Sequence, residues 1–243
     1  MKTLTRLGVA TAATAALAAG VALPAQAQSA FGTAATTTSK TSGTTGLDAA
    51  KALANSRIDG RLETLHALQL AVANAPHLTS NDRSTLSSLI TGDISGLTSL
   101  RGKVGSETTV SAVRADETTM VDQYRVYLLV GPKVHLADAF DTEAAAESTL
   151  QKVHDKLAAR LAKQPGGATA AEQSQLADLQ TQLRNAQQAE SGKVATLLAI
   201  APGADANAIH DALSPLVTAA KAARADLRKA RDDAKALRGE LKK

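Results

Sequence analysis

Ten residues, Ile209, Leu213, Leu216, Ala220, Ala223, Leu227, Ala230, Ala234, Leu237 and Leu241, follow one another at alternating spacings of four and three without a slip. A mean spacing of 3.5 keeps such a stripe on one side of an α-helix. Sustained over nearly five heptads, it predicts a long helix whose aliphatic seam faces another helix. Alanine at four of the ten positions lets the backbones approach closely. Asp205 or Asn207 is placed to cap the start, and Pro215 either bends the first turns or marks where the straight rod begins. About thirty helical residues at a 1.5 Å rise make a rod of roughly 50 Å, longer than a compact domain of this size needs. The charged residues around the seam, Lys221, Arg224, Asp226, Arg228, Lys229, Arg231, Asp232, Asp233, Lys235 and Arg238, mix both signs. They read most simply as a solvated surface, with a dedicated binding stripe as the rarer alternative.

The partners for that seam must come from earlier in the chain, where helical periodicity also prevails. Aromatic residues are limited to Phe31, Tyr124, Tyr127 and Phe140, with no Trp, so any core is built from Leu, Val and Ala. That favours closely packed helices over a β-sandwich. A first segment over about 47–75 carries Ile58, Leu62, Leu65, Leu68 and Val72 and stops at Pro76. A second starts with Thr79 or Ser80 as cap, places Leu86, Ile90, Leu97, Leu100 and Val104 on one stripe, and is weakened by Gly92, Gly96 and Gly102. It should be the loosest of the set. A third runs from about Glu107 through Tyr124-Arg125-Val126-Tyr127-Leu128-Leu129-Val130. The β-branched and aromatic crowding there permits a strand, but no partner strand is evident and a lone strand leaves backbone groups unpaired. A buried helix that breaks or kinks at Gly131-Pro132 is the preferred reading. The fourth segment, 133–163, stops at Pro165-Gly166-Gly167. The fifth begins near Thr169 with Glu172 as a possible capping box, carries Leu176, Leu179, Leu183, Val194 and Leu197, and ends at Pro202-Gly203. Short connections make sequential helices antiparallel. The expected fold is all-α, an elongated antiparallel helical bundle with coiled-coil hairpins over residues 47–243, with possible hairpin modules 47–131 and 132–243.

Residues 1–27 read as a secretory signal peptide: basic at Lys2 and Arg6, apolar from Leu7 to Leu23, with small residues at Ala25-Gln26-Ala27 before a cut at Gln28. The alternative, an uncleaved anchor, is disfavoured because the middle is rich in Ala, Thr and Gly and falls short of the roughly 20 apolar residues a span needs. Residues 28–46, dominated by Thr, Ser and Gly, read as a disordered linker, with a carrier of O-linked sugars or a span across part of a cell wall as the alternatives. Losing Lys2 and Arg6 lowers the formal net charge from +4 to +2, and the two signs interleave along the chain, which argues against a nucleic-acid partner. There is no cysteine, so the fold depends on packing or assembly, and an acylated-cysteine anchor is excluded.

Catalytic and ligand-binding motifs are sparse. His66, His77, His135, His154 and His210 never fall three or four residues apart, the spacing that puts two ligands on one helical face. No phosphate loop, nucleophile elbow or calcium loop is present. Asp116, Glu117 and Asp122 gather near Arg114 and Arg125, but on an Ala-rich helix such acids are normally solvated partners of neighbouring bases. No catalytic, cofactor-binding or metal-binding residue is assigned, and no cofactor is expected. The stretches Tyr124-Arg125-Val126-Tyr127-Leu128-Leu129-Val130-Gly131-Pro132-Lys133-Val134-His135-Leu136 and Ala222-Ala223-Arg224-Ala225-Asp226-Leu227-Arg228-Lys229-Ala230-Arg231-Asp232-Asp233-Ala234-Lys235 resemble uncharacterised exported helical proteins of high-GC actinobacteria. The resemblance implies an extracytoplasmic location and no activity. The expectation is therefore a non-enzymatic secreted or envelope-associated helical spacer, adhesin or interaction scaffold that uses its helix faces for a protein partner or self-association. Membrane association after cleavage should be weak or absent. The alternative is an extracytoplasmic chaperone-like or lipid- or client-binding helical module.

Overall fold

A computed structural model describes residues 42–241. The predicted leader and the linker through residue 41 lie outside the described residues. Seven α-helices and one π-helical turn make up the described chain: α1 Ser42–Asn74, α2 Ser80–Ser106, α3 Val110–Tyr124, the π turn Val126–Val130, α4 Gly131–Leu161, α5 Ala170–Glu190, α6 Lys193–Ala199 and α7 Ala206–Glu240. No strand occurs among the described residues, and the architecture is an all-α bundle.

The local signals explain most helix starts. Thr79 accepts from Asp82 N, Thr109 from Ala112 N, and Asp205 from both Asn207 N and Ala208 N. Thr169 and Glu172 complete a reciprocal capping box at the head of α5. Each such cap satisfies amide groups that a helix leaves open at its start, typically worth about 1 kcal/mol. The end of α1 is closed from outside: the Arg83 guanidinium donates to the carbonyls of Val72, Ala73 and Ala75. Asp141 of α4 accepts from Thr79 N at 2.7 Å and ties the same corner to the next layer.

Packing divides into two apolar clusters. The first joins α1, α2, α3, the π turn, α4, α6 and the first half of α7 through Ile58, Leu65, Leu86, Leu97, Met120, Leu129, Phe140 and Leu216, among others. The second is a three-helix arrangement of α4, α5 and α7 around Leu157, Leu161, Leu179, Leu183, Ala223, Ala230 and Leu237. The α7 stripe runs through both clusters, and every heptad position from Ile209 to Leu237 is buried. Burying each of its Leu and Ile side chains contributes roughly 1.5–3 kcal/mol. Ala223, Ala230 and Ala234 lie where α5 and α7 make the most extensive helix pair among the described residues.

Helices α1 and α2 run antiparallel. Arg101 at the end of α2 meets Asp59 near the middle of α1, and Gly105 meets Lys51. Helices α4 and α7, separated by three connections, run the same way. Glu143 meets Arg224, and Arg160 meets the Leu241 carbonyl, each pair 81 residues apart.

Three boundaries differ from the sequence reading. α1 begins at Ser42, inside the stretch expected to be linker, because Leu47 and Ala50 pack against the first cluster and carry the helix back past Gly46. The third segment breaks at Arg125 and not at Gly131-Pro132: Arg125 takes a left-handed conformation at φ 41°, and the chain then winds through the π turn straight into α4. Pro132 lies in the first turn of α4, where its missing N–H costs nothing. The fifth segment is two helices, parted at Ser191-Gly192 where Gly192 adopts φ 70°.

Candidate functional site

The acids flagged near Arg114 and Arg125 do not converge. Asp116 is buried and accepts from Lys103 at 2.5 Å, Glu117 pairs with Arg57 of α1 at 2.6 Å, and Asp122 pairs with Arg125 at 3.1 Å. Asp116 and Glu117 tie α3 to α2 and α1 respectively, and Asp122 pairs within the end of α3 itself. His66, His77, His135 and His210 are exposed, while His154 is half-buried beside Asp155. Among the described residues no group of three or more His, Asp or Glu side chains is suited to hold a metal ion. Nor is any described helix long and apolar enough to cross a membrane.

The Tyr124–Lys133 stretch works as a clamp on the loop between α6 and α7. Arg125 Nε donates to Gly203 O at 2.7 Å and its Nη2 to Ala204 O at 2.6 Å. Buried Lys133 donates to Leu198 O and Ile200 O at 2.9 and 2.6 Å. Lys133 thus satisfies carbonyls that the end of the short α6 leaves open, and Arg125 those of the loop beyond it. Beside them a space of about 20 Å³ is lined by Asp93, Tyr124, Lys133 and Pro202, among others, room for about one water molecule. Burial raises Asp93 to about 6 against the opposing pull of Lys133, and burial lowers Lys133 against the pull of Asp93. One Asp93 oxygen has no partner. A space this small admits no organic substrate, so the cluster is a polar core element that fixes the loop.

A second polar layer lies where the two apolar clusters meet. Glu143 of α4 is buried, accepts from Arg224 Nε of α7 at 2.9 Å, and leaves its other oxygen without a partner. Glu190, the last residue of α5, is pushed up to about 8 by burial first and then by Glu143 and Glu147. Burial likewise raises Glu143 and Glu147, and Arg224 pulls Glu143 the other way.

The feature with the form of a binding site lies beyond that layer. Between α4 and α7, on the second cluster, a groove of about 500 Å³ has a floor of Leu150, Val153 and Ala234 and passes Gly239. Its rim is Arg231, Lys235 and Arg238, and no carboxylate lines it. Arg231 shares its guanidinium with exposed Asp232 at 3.2 Å. Lys235 and Arg238 are exposed and have no ion-pair partner among the described residues. Spacings of four and three along α7 align the three cations on one face. The volume falls in the range of ligand clefts, and apolar floors with convergent polar groups are the usual composition of such clefts. These residues were among the ten charged positions around the heptad seam. The sequence offered their spacing but not the α4 wall that turns three of them into a rim.

In comparisons with known protein families, with curated proteins and with solved structures, this chain matches none.

Proposed function

We propose that this protein is a non-enzymatic interaction scaffold acting outside the cytoplasm, in which the helical bundle presents the α4/α7 groove to a protein partner. The observation that carries the reading is the groove itself: an apolar floor open to solvent, with cations on its rim and none of them matched by a lining acid. Two further facts support it. The heptad seam of α7 is consumed within the chain, so the sequence feature that most suggested self-association through that seam is already satisfied intramolecularly. The Arg125 and Lys133 side chains of the first apolar cluster hold the loop between α6 and α7, a structural duty that supports a non-enzymatic reading. The extracytoplasmic location rests on the composition of residues 1–27.

Photo-crosslinking in the producing cell tests this. A photoreactive residue replacing Val153 on the groove floor should give a discrete adduct with one protein. The same residue replacing exposed Leu70 of α1 should give none. No adduct from position 153, or equal labelling from both positions, would refute the assignment.

A further inference from the structure

Resting on that reading, we infer that the occupant of the α4/α7 groove is an amphipathic helix of another protein, carrying acidic residues along one flank of its apolar stripe. The groove is open along one side, so whatever fills it keeps one face in water. A helix meets that demand, because it offers an apolar stripe to the floor and its own polar face to solvent. An acyl chain lacks a polar face and would leave half its surface wet. The lined stretch of α7 runs from Arg231 to Gly239, about 12 Å at 1.5 Å per residue, and so matches two to three turns of a docked helix. Charge sets the sign. Three cations and no acid line the groove, and Lys235 and Arg238 have no carboxylate partner among the described residues, so acids at helical spacing on the incoming flank complete the pairs.

Two nearer candidates are excluded, one by charge and one by the lack of an exposed apolar stripe. Residues 1–41 of this chain hold Lys2, Arg6 and Lys40 but no Asp or Glu, so they cannot supply the complementary flank. A second copy offers no suitable helix either. Its longest apolar stripe, on α7, is buried, and the large apolar residues exposed on α1, Leu53 and Leu70, are too far apart to form a stripe.

The test uses the full protein and synthetic peptides with Leu and Ala at heptad a and d positions and either Glu or Lys at e and g. By fluorescence anisotropy the Glu-flanked peptide should bind and the Lys-flanked peptide should not. Raising NaCl from low to high concentration should weaken binding about tenfold, the sum of a few screened surface pairs. Reversing both rim charges, Lys235→Glu with Arg238→Glu, should lose at least about tenfold for the Glu-flanked peptide and gain binding of the Lys-flanked one. Both side chains are exposed, and an unchanged circular dichroism spectrum verifies the fold; the milder Lys235→Gln with Arg238→Gln should lose the first peptide without gaining the second. Equal binding of both peptides overturns the inference. So does co-sedimentation with phosphatidylglycerol vesicles in place of peptide binding, or a dimer in sedimentation that the charge reversal abolishes. If the Val153 crosslink persists while the Glu-flanked peptide fails to bind, the occupant is wrong and the scaffold reading stands. If both fail, both fall.

Discussion

Glu190 makes the stability of this bundle fall with rising pH in a window where most proteins are near their optimum. The side chain ends α5 at the layer between the two apolar clusters, faces Glu143 and Glu147 of α4, and has one buried oxygen without a partner. Arg224 of α7, the nearby cation, is committed to Glu143. Burial first, and then the Glu143 and Glu147 carboxylates, raise the Glu190 carboxyl from 4.5 to about 8. Between those values the native state keeps a proton that the unfolded chain has released. Stability is then fully present below pH 4.5, declines as pH rises, and the loss is complete above pH 8. The full shift would correspond to about 5 kcal/mol at 1.36 kcal/mol per unit. Because the group is only half-buried, screening leaves on the order of 2 kcal/mol. Glu143 and Glu147, raised in the same direction, steepen the slope. Glu190→Gln mimics the protonated form and removes the Glu190 share. Guanidinium unfolding followed at 222 nm from pH 5 to 9 should show wild type losing stability across the window while the variant loses much less, with the two curves meeting near pH 5. A variant less stable than wild type at pH 9, or parallel pH profiles, would show that Glu190 is ionised and solvated in the native state.

The glycines of α2 should respond oppositely to alanine. Nothing lies within 4 Å of a Cβ built on Gly92, so Gly92→Ala should raise stability by up to about 1 kcal/mol through helix propensity. A Cβ on Gly96 would stand 2.7 Å from Tyr124 Cε1 and 2.9 Å from Cζ, so Gly96→Ala should cost about 1–3 kcal/mol through overpacking, less the propensity gain. Thermal unfolding of the pair reads both signs, and a stabilised Gly96→Ala would refute the contact. Lys133→Met should leave the carbonyls of Leu198 and Ile200 without their donor, cost about 1–3 kcal/mol, and speed hydrogen exchange in α6 before the rest of the bundle.

Fold class was legible because its determinants are local and periodic. The α7 stripe needs only a spacing count, and Thr169 with Glu172 spells its capping box in four residues. The misread boundaries share a different cause. Gly131-Pro132 looked like a break from local chemistry, yet proline is harmless in a first turn, and the actual break falls at Arg125, whose left-handed backbone is held by its side chain gripping Gly203 and Ala204 some 78 residues away. A long-range hydrogen bond fixes a local conformation there, and no window of sequence contains both ends. Likewise Gly92, Gly96 and Gly102 read as equal weaknesses of the second helix, whereas Gly96 alone makes room for the Tyr124 ring.

The groove was harder to see for a related reason. Its α7 half was in plain view as Arg231, Lys235 and Arg238, but ten charged residues surround that stripe, and helical period alone cannot rank them. What ranks them is register against a helix that runs parallel three connections earlier. The 81-residue offset places Glu143 opposite Arg224, where a carboxylate takes up the cation, and two turns further on it places Leu150 and Val153 opposite Arg231 and Ala234, where no carboxylate answers. One interhelical register thus makes an ion pair at the junction and an unmatched basic rim beyond it. Moving a carboxylate into that second level tests the distinction directly: Val153→Glu should supply the missing acid from within the chain, block the groove and abolish peptide binding. Changing Ala146 to Glu, on an exposed position of α4 outside the groove lining, should leave peptide binding unchanged.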